Sequence, residues 1–188
     1  MAPPPNPWTG RHGRLCAVGQ ELRHRMKVAT RVVPLPANSG PFRAVAPQDA
    51  PLLALLMERA YRGTVDDEGE TPEQCLEEVR ALFAGKYGRF LDDASFLIER
   101  DGQSISASLV TLWEGQPLLA FSMTVPDERR KGHAGFLIRR SIDALASRGH
   151  QDLYLVVTDG NPAERLYAKL GFVRTPEAPA RAAEGCAR

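Results

Sequence analysis

A basic turn rich in small residues, within residues 125–138, joins an apolar strand to an amphipathic helix. Small residues leave the neighbouring backbone NH groups uncovered, and the first turn of a helix adds NH groups that have no partner within the helix. The small residues are Gly132, Ala134 and Gly135, and the cations beside them are Arg129, Arg130 and Lys131. Because a helix N-terminus also carries roughly half a positive charge, this turn is suited to bind an anion such as a pyrophosphate.

A second stretch with chemical potential is a helix that begins near Ala163 and reads A-x-x-L-Y-x-x-x-G-F up to Phe172. Tyr167 is its reactive candidate, because a phenol with a pKa of about 10 is protonated at neutral pH and can donate a proton or a hydrogen bond. The structural alternative is an aromatic ring packed among apolar neighbours. Leu166 and Leu170 are predicted to lie in the core.

Taken together, these two motifs resemble the GNAT superfamily of N-acetyltransferases. The turn Arg129-x-x-Gly132-x-Ala134 is similar to the acetyl-CoA loop of that superfamily, and the helix that carries Tyr167 resembles its second signature. The resemblance covers residues 42 to about 174. It implies an enzyme that moves an acetyl group from acetyl-CoA to a primary amine, by direct attack of the amine on the thioester.

The order of the predicted elements is consistent with that fold. Residues 95–113 read as a hairpin, residues 118–124 as a further antiparallel strand, and residues 132–148 as an amphipathic helix. Residues 153–157 should run parallel to 118–124, because a helix connects the two strands. The resemblance implies a mixed α/β (α+β) GNAT-type acyl-CoA N-acyltransferase fold, whose mostly antiparallel sheet contains one splayed parallel pair and is flanked by about four helices.

By the same resemblance, the pantetheine arm of acetyl-CoA lies between the splayed strands, where backbone NH groups also face the thioester carbonyl. Asn161 would contact pantetheine or, equally, cap a helix. His133 occupies the variable position of the motif, and Arg130 takes a place often held by glycine. The cofactor-binding residues so implied are Met123, Thr124, Val125, Arg129, Arg130, Lys131, Gly132, His133, Ala134, Gly135 and Asn161, and the catalytic residue is Tyr167.

An acidic segment lies between the first two predicted helices, at residues 64–70. One interpretation is a solvated loop. The other follows from the resemblance, in which this segment lines the acceptor pocket, so that its carboxylates would favour a cationic amine. These substrate-binding candidates, which are also candidates for the general base, are Asp66, Asp67, Glu68 and Glu70.

Three regions are predicted along the chain. Residues 1–41 hold seven prolines and six Arg or Lys against one Glu, so we expect a flexible N-terminal extension, in which Met26 is a candidate alternative start. Residues 42–174 form the N-acetyltransferase domain. Residues 175–188 are expected to be a flexible tail, so the terminal hairpin usual in the superfamily should be short or missing.

The composition limits the partners, the metal sites and the cellular location that can be expected. The 188 residues carry a net charge of +1, which favours neither a nucleic-acid nor a membrane partner. Three scattered cysteines without neighbouring histidines predict free thiols and no metal site, and the cytoplasm is the default location. The expected partner is a small-molecule or peptide amine, and the resemblance raises a homodimer as one assembly state.

A rival to the enzyme is a non-catalytic acyl-CoA-binding module that senses CoA or regulates a partner. Such a module would keep the basic turn but would need neither a base nor an open acceptor cleft. The sequence alone does not name the acceptor, and it does not distinguish acetyl from longer acyl donors.

Overall fold

The computed structural model describes residues 23–32 and 41–175. Within these ranges the chain forms eight strands and four α-helices. The strands are β1 Arg23–Ala29, β2 Arg43–Ala44, β3 Arg89–Phe90, β4 Phe96–Arg100, β5 Gln103–Trp113, β6 Gln116–Thr124, β7 Asp152–Thr158 and β8 Val173–Arg174. The helices are α1 Ala50–Tyr61, α2 Pro72–Phe83, α3 His133–Ser147 and α4 Glu164–Lys169. Of the described helices, none combines the length and the apolar character needed to cross a membrane.

All eight strands belong to one sheet, in the order β2-β4-β5-β6-β7-β1-β8, with β3 paired to β5. The pair β6/β7 is parallel and the other pairs are antiparallel. The parallel pair follows from the crossover through α3, which returns the chain to the same end of the sheet. The predicted fold class, a mostly antiparallel mixed sheet with one parallel pair and four helices, is therefore confirmed.

Helix α2 shows how local sequence sets the element boundaries. Thr71 is its N-cap and Pro72 its first residue. The Gln74 NH donates to the Thr71 hydroxyl (3.3 Å), and the Thr71 NH donates to the Gln74 side-chain oxygen (2.8 Å). A capping box is thus present, and it fixes where the acidic segment ends and the helix begins.

Helices cover both faces of the central strand β5. On one face, Ala107 and Leu109 pack in a core with α1 and α2. On the other, the Ser108 hydroxyl lies 3.1 Å from that of Ser141 in α3, and Val110 packs in a second core with β7, β1 and α4. Because β5 is buried on both faces, the sheet separates two apolar cores, one on the α1 side and one on the α3 side.

The N-terminal region departs from the prediction. Residues 23–29, which were expected to be part of a flexible extension, form β1 and pair with β7 from Arg23↔Thr158 to Ala29↔Asp152. The side chains of Met26 and Val28 are buried in the second core. The expectation of flexibility is wrong for this stretch, because β7 supplies a complete pairing edge. The rest of the predicted extension, apart from residues 30–32 and 41, lies outside the described residues, as does the tail beyond Thr175.

The last strand of the described chain, β8, pairs with β1. Strand β8 has two residues and pairs with β1, at Met26↔Arg174 and Lys27↔Val173. Strand β1 therefore lies between β7 and β8, so an N-terminal segment completes this side of the sheet.

Candidate functional site

The parallel strands β6 and β7 are splayed. Their recorded pairing is at Leu118↔Tyr154, near the start of each strand, and a cavity of about 860 Å³ extends between their last residues. The walls include residues 119–122 and Thr124 of β6 and residues 155–158 of β7. A sheet that opens in this way leaves backbone groups of both strands without a strand partner, so the gap can accept an extended chain.

The basic turn lies at the edge of this cavity. Helix α3 begins at His133 after Gly132, whose φ of 91° belongs to the left-handed region that glycine adopts easily. The first helical bond runs from the Phe136 NH to the Gly132 carbonyl (2.9 Å), so the NH groups of residues 133–135 have no acceptor within the helix. Residues 132–135 line the cavity, which presents these donors to it.

Arg130 also has a left-handed backbone, with φ of 63°. This conformation costs a side-chain-bearing residue more than it costs glycine. The preference for glycine at this place in the resembled motif therefore has a conformational reason. In this chain the residue with this strained backbone is an arginine, and its guanidinium lies in the cavity wall.

Two other basic residues of the turn contact a carboxylate within the protein. Lys131 Nζ and His133 Nε2 each lie 3.0 Å from the Glu128 carboxylate, and Arg100 Nη1 lies 2.7 Å from it. These contacts, with that of Lys131 the largest, hold the pKa of Glu128 below its usual value. The basic turn thus contains a carboxylate that pairs with its own basic side chains, a feature that the sequence interpretation did not include.

Arg129 acts as a brace. Its Nη2 donates to the Ala60 carbonyl at the end of α1 (2.7 Å), and its Nε donates to the Thr124 carbonyl at the end of β6 (3.4 Å). The guanidinium, which was expected near the phosphates, is therefore occupied in joining α1 to the splayed end of β6.

The residues at the end of β6 that were expected to face pantetheine do not all point the same way. Their backbone NH groups point alternately to β5 and to the gap. The Val125 NH donates to the Ile105 carbonyl of β5 (3.0 Å). Successive NH groups of a strand point to opposite sides, so Met123, which is paired with Ala107, also faces β5. Thr124 and Ser122 face the gap, and both line the cavity. The expectation that the NH groups of Met123 and Val125 face the gap is wrong, because both face β5. Ser122 faces the gap instead, as a period-two count from Thr124 could have found.

Tyr167 lies in the cavity wall with 9% of its surface exposed. Burial raises the pKa of its phenol well above the usual value, and the nearby Tyr61 and Asp66 raise it further. A hydrogen bond with the Ser122 side chain offsets part of this effect. The phenol is consequently protonated at neutral pH and positioned beside the end of β6.

The acidic residues of segment 64–70 have different positions relative to the cavity. Asp66 lines the cavity, where its carboxylate accepts hydrogen bonds from the Thr158 hydroxyl (2.8 Å) and the Asn161 amide (2.6 Å). Asp67 instead accepts from the backbone NH groups of Gly63 and Gly69 and so shapes the loop.

The two glutamates of this segment lie away from the cavity wall. Glu70 accepts from the Glu68 NH at 3.1 Å, and the Glu68 carboxylate lies 3.9 Å from Arg23 Nη2. Of the four predicted acids, Asp66 is thus the one in contact with the site.

Asn161 has a structural role in this arrangement. Its side-chain oxygen accepts from the Ala163 NH (2.8 Å) while its amide nitrogen donates to Asp66. Helix α4 begins only at Glu164, so Asn161 caps the turn before the helix and ties that turn to the acidic segment. Thr158, at the carboxyl end of β7, is a site residue that sequence reasoning missed.

The comparisons with known proteins agree with this geometry. Residues 98–179 match the family model described as FR47-like protein. A GCN5-related N-acetyltransferase from Sphaerobacter thermophilus superposes with a TM-score of 0.61 at 20% identity, over 81% of this chain and 48% of its own. The chain has the fold of the GNAT N-acetyltransferases. No curated protein matches its sequence.

This chain covers a larger share of two further structures with this fold than of the Sphaerobacter protein. The ribosomal-protein-S18-alanine N-acetyltransferase from Escherichia coli has a TM-score of 0.56 and 21% identity, over 72% of this chain and 79% of its own. A predicted acetyltransferase from Clostridium acetobutylicum, solved with acetyl-CoA, has a TM-score of 0.56 and 18% identity, over 74% of this chain and 94% of its own. At these identities the likeness concerns the fold, and this chain spans about half the length of the Sphaerobacter protein.

Proposed function

We propose that the protein is an N-acetyltransferase that uses acetyl-CoA to acetylate a primary amine by direct attack on the thioester. The observation that carries the proposal is the joining of two features in one cavity, the splayed β6/β7 gap and the NH-rich start of α3. The first suits an extended amide-bearing arm and the second suits a pyrophosphate. Acetyl-CoA contains both groups.

The residues of the cavity fit this co-substrate. The NH groups of residues 133–135 bind the pyrophosphate, and Arg130 adds charge beside it. The backbone groups of Ser122 and Thr124 pair with the amides of pantetheine. Bound in this way, acetyl-CoA supplies the activated acetyl group, and the protein supplies position, which is worth roughly 7–11 kcal/mol at best.

Tyr167 stabilises the sulfur as the thiol leaves. Because burial raises the pKa of its phenol, complete proton transfer to a thiolate is uphill, and hydrogen-bond donation is the better role. The bond with Ser122 directs the hydroxyl toward the end of β6.

Asp66 binds the acceptor amine. Thr158 and Asn161 each donate one hydrogen bond to its carboxylate, and an ionised carboxylate has about four acceptor sites, so capacity remains for an ammonium group. Removing the proton from a lysine-like amine at pH 7 costs roughly 4–5 kcal/mol. Asp66 is the carboxylate of the acceptor side that can take this proton, directly or through water.

The test uses Ala134→Asp, which places a negative charge among the donors of the pyrophosphate site while favouring the helix N-terminus. Ala134→Ser is the matched neutral control. Acetyl-CoA at a hundred times its dissociation constant should stabilise the wild type and the serine variant by about 2.7 kcal/mol in thermal unfolding, and the aspartate variant far less. Thiol release is then measured over a panel of amines.

The outcomes separate the two function classes. Stabilisation that is lost only in Ala134→Asp, together with amine-dependent thiol release, supports the transferase. Stabilisation without thiol release from any amine would favour the acyl-CoA sensor. Absence of stabilisation in the wild type would overturn acyl-CoA binding itself.

A further inference from the structure

We infer that the acceptor carries a carboxylate as well as its amine, and that Arg23 of β1 binds this carboxylate. The inference rests on the acyl transfer proposed above and deepens it, because it names an amino acid as the acceptor class. It depends on a residue outside both GNAT motifs, on the strand that the sequence interpretation did not predict.

The register of β1 places Arg23 beside the amine site. Arg23 pairs directly with Thr158 in the antiparallel ladder, and side chains of such a pair lie on one face of the sheet with Cβ atoms about 5 Å apart. The Thr158 hydroxyl donates to Asp66 at 2.8 Å. Arg23 and Asp66 therefore flank Thr158, so a cation and an anion adjoin the same threonine in the cavity wall.

The face on which they lie is the α1 side of the sheet. Met26 and Val28 of β1 are buried in the core on the α3 side, so the alternate residue Arg23 points to the opposite face. The acidic segment follows α1, and the NH-rich turn opens α3. An acyl-CoA bound at α3 and an acceptor bound at Asp66 would thus approach the β6/β7 gap from opposite faces.

The charges of the cavity wall fall into two groups. Arg23 and Asp66 belong to the acceptor side. The other charged lining residues belong to the basic turn or to α4, and they are Glu128, Arg129, Arg130, His133, Arg165 and Lys169. The acceptor side thus presents one positive and one negative group, which is the charge pattern complementary to a zwitterion.

The present contact of Arg23 is long. Its Nη2 lies 3.9 Å from the Glu68 carboxylate, beyond hydrogen-bond distance, and both side chains are partly exposed (24% and 38%). A guanidinium binds a carboxylate best through two parallel N–H···O bonds, which this separation does not provide. A carboxylate on the acceptor can supply them, whereas a diamine would place a second cation next to Arg23.

The experiment compares amines that differ only in the carboxylate: lysine with cadaverine, ornithine with putrescine, and phenylalanine with phenethylamine. Each is assayed for thiol release from acetyl-CoA, and its binding to the CoA-loaded protein is measured by calorimetry. The proteins are wild type, Arg23→Gln, and the control Arg31→Gln, which makes the same charge change at an exposed residue beyond β1.

We expect an amino acid to exceed its decarboxylated partner in kcat/KM by about tenfold or more, as charged hydrogen bonds allow. In Arg23→Gln this preference should fall toward unity through a higher KM for the amino acid, with kcat and the values for the simple amine little changed. Arg31→Gln should behave as wild type. A merely structural role of Arg23 would affect both members of each pair equally.

Other results have distinct meanings. Thiol release with amines but without a carboxylate preference, or a preference that survives Arg23→Gln, overturns this inference and leaves the proposed transferase intact. Carboxylate-dependent binding that is lost in Arg23→Gln, without thiol release, supports the Arg23 subsite and overturns catalysis. If neither binding nor thiol release is detected, both the Arg23 subsite and the proposed transferase are overturned.

Discussion

At the scale of single residues, Glu128 places a negative charge at the proposed pyrophosphate site. Its carboxylate lies within 3.0 Å of Lys131 and His133 and would repel a bound phosphate. Glu128→Gln should therefore tighten acetyl-CoA binding roughly threefold at low salt, because a repelling charge is removed and Lys131 is released toward the ligand. Isothermal titration calorimetry at two ionic strengths measures the effect, which should shrink as salt screens it.

Asp127→Asn is the matched control for this prediction. It changes the net charge by the same amount at the neighbouring, exposed position, so it should alter affinity less than Glu128→Gln does. Equal effects of the two variants would show that only the overall charge matters. Weaker binding in Glu128→Gln would show that the carboxylate positions its cations for the ligand.

The site residues illustrate what the sequence can and cannot predict at this scale. The motif spacing located the start of α3 and Tyr167, because these depend on local helix chemistry. It did not separate Asp66 from Asp67, which are neighbours in the chain with opposite roles. That difference arises from Thr158 and Asn161, more than ninety positions away, and a single sequence contains no signal for such a contact.

At the scale of elements, β1 carries a prediction about stability. A chain that begins at Met26 lacks Arg23, His24 and Arg25, which pair with Thr158, Val157 and Val156. At roughly 0.2–1 kcal/mol for each cross-strand pair, the shorter chain should lose about 1–3 kcal/mol of unfolding free energy. Urea unfolding of this chain, against one that keeps residues 23–25 behind an added methionine, measures the loss.

The same two chains test the role of β1 in the site. The chain that begins at Met26 also lacks the Arg23 guanidinium, so it should bind acetyl-CoA normally and lose its preference for carboxylated amines. It should also aggregate more readily, because the end of β7 becomes an open strand edge. Equal stability of the two chains would mean that residues 23–25 add little to the sheet.

Strand β1 was missed for a definable reason. Met26 and Val28 alternate with charged residues, which is the period-two pattern of a strand with one buried face. The many prolines and arginines of residues 1–41 gave this region the composition of a flexible segment, which hid the short alternating run. The partner of the strand lies about 130 positions further along the chain, so only the assembled sheet shows that it has one.

At the scale of the whole molecule, the cavity lies between two apolar cores. Helix α3 contributes to both, since Leu137 packs in the core on the α1 side and Ile138 in the other. Links across the gap include the hydrogen bond from Arg129 to the Ala60 carbonyl, the hydrogen bonds of Asp66, and that of Tyr167 with Ser122. A ligand in the β6/β7 gap would therefore join the two halves of the fold.

This arrangement predicts a pattern of amide hydrogen exchange. With saturating acetyl-CoA, exchange should slow by tenfold or more at Ser122 and Thr124, whose NH groups face the gap, and at residues 133–135. The exposed Glu114-Gly115 turn of the β5/β6 hairpin, at the opposite end of the sheet, should not change. Mass spectrometry after short labelling times detects these local differences before global unfolding contributes.

The distribution of the protection decides how the ligand is held. Slowing at both Ser122 and residues 133–135 means that one molecule spans the gap and the α3 N-terminus. Slowing at residues 133–135 alone would mean that phosphate groups bind while the pantetheine arm stays outside the sheet, which would contradict the β6/β7 assignment. In Ala134→Asp both sets should keep the exchange rates of the ligand-free protein, because the two contacts belong to one binding event.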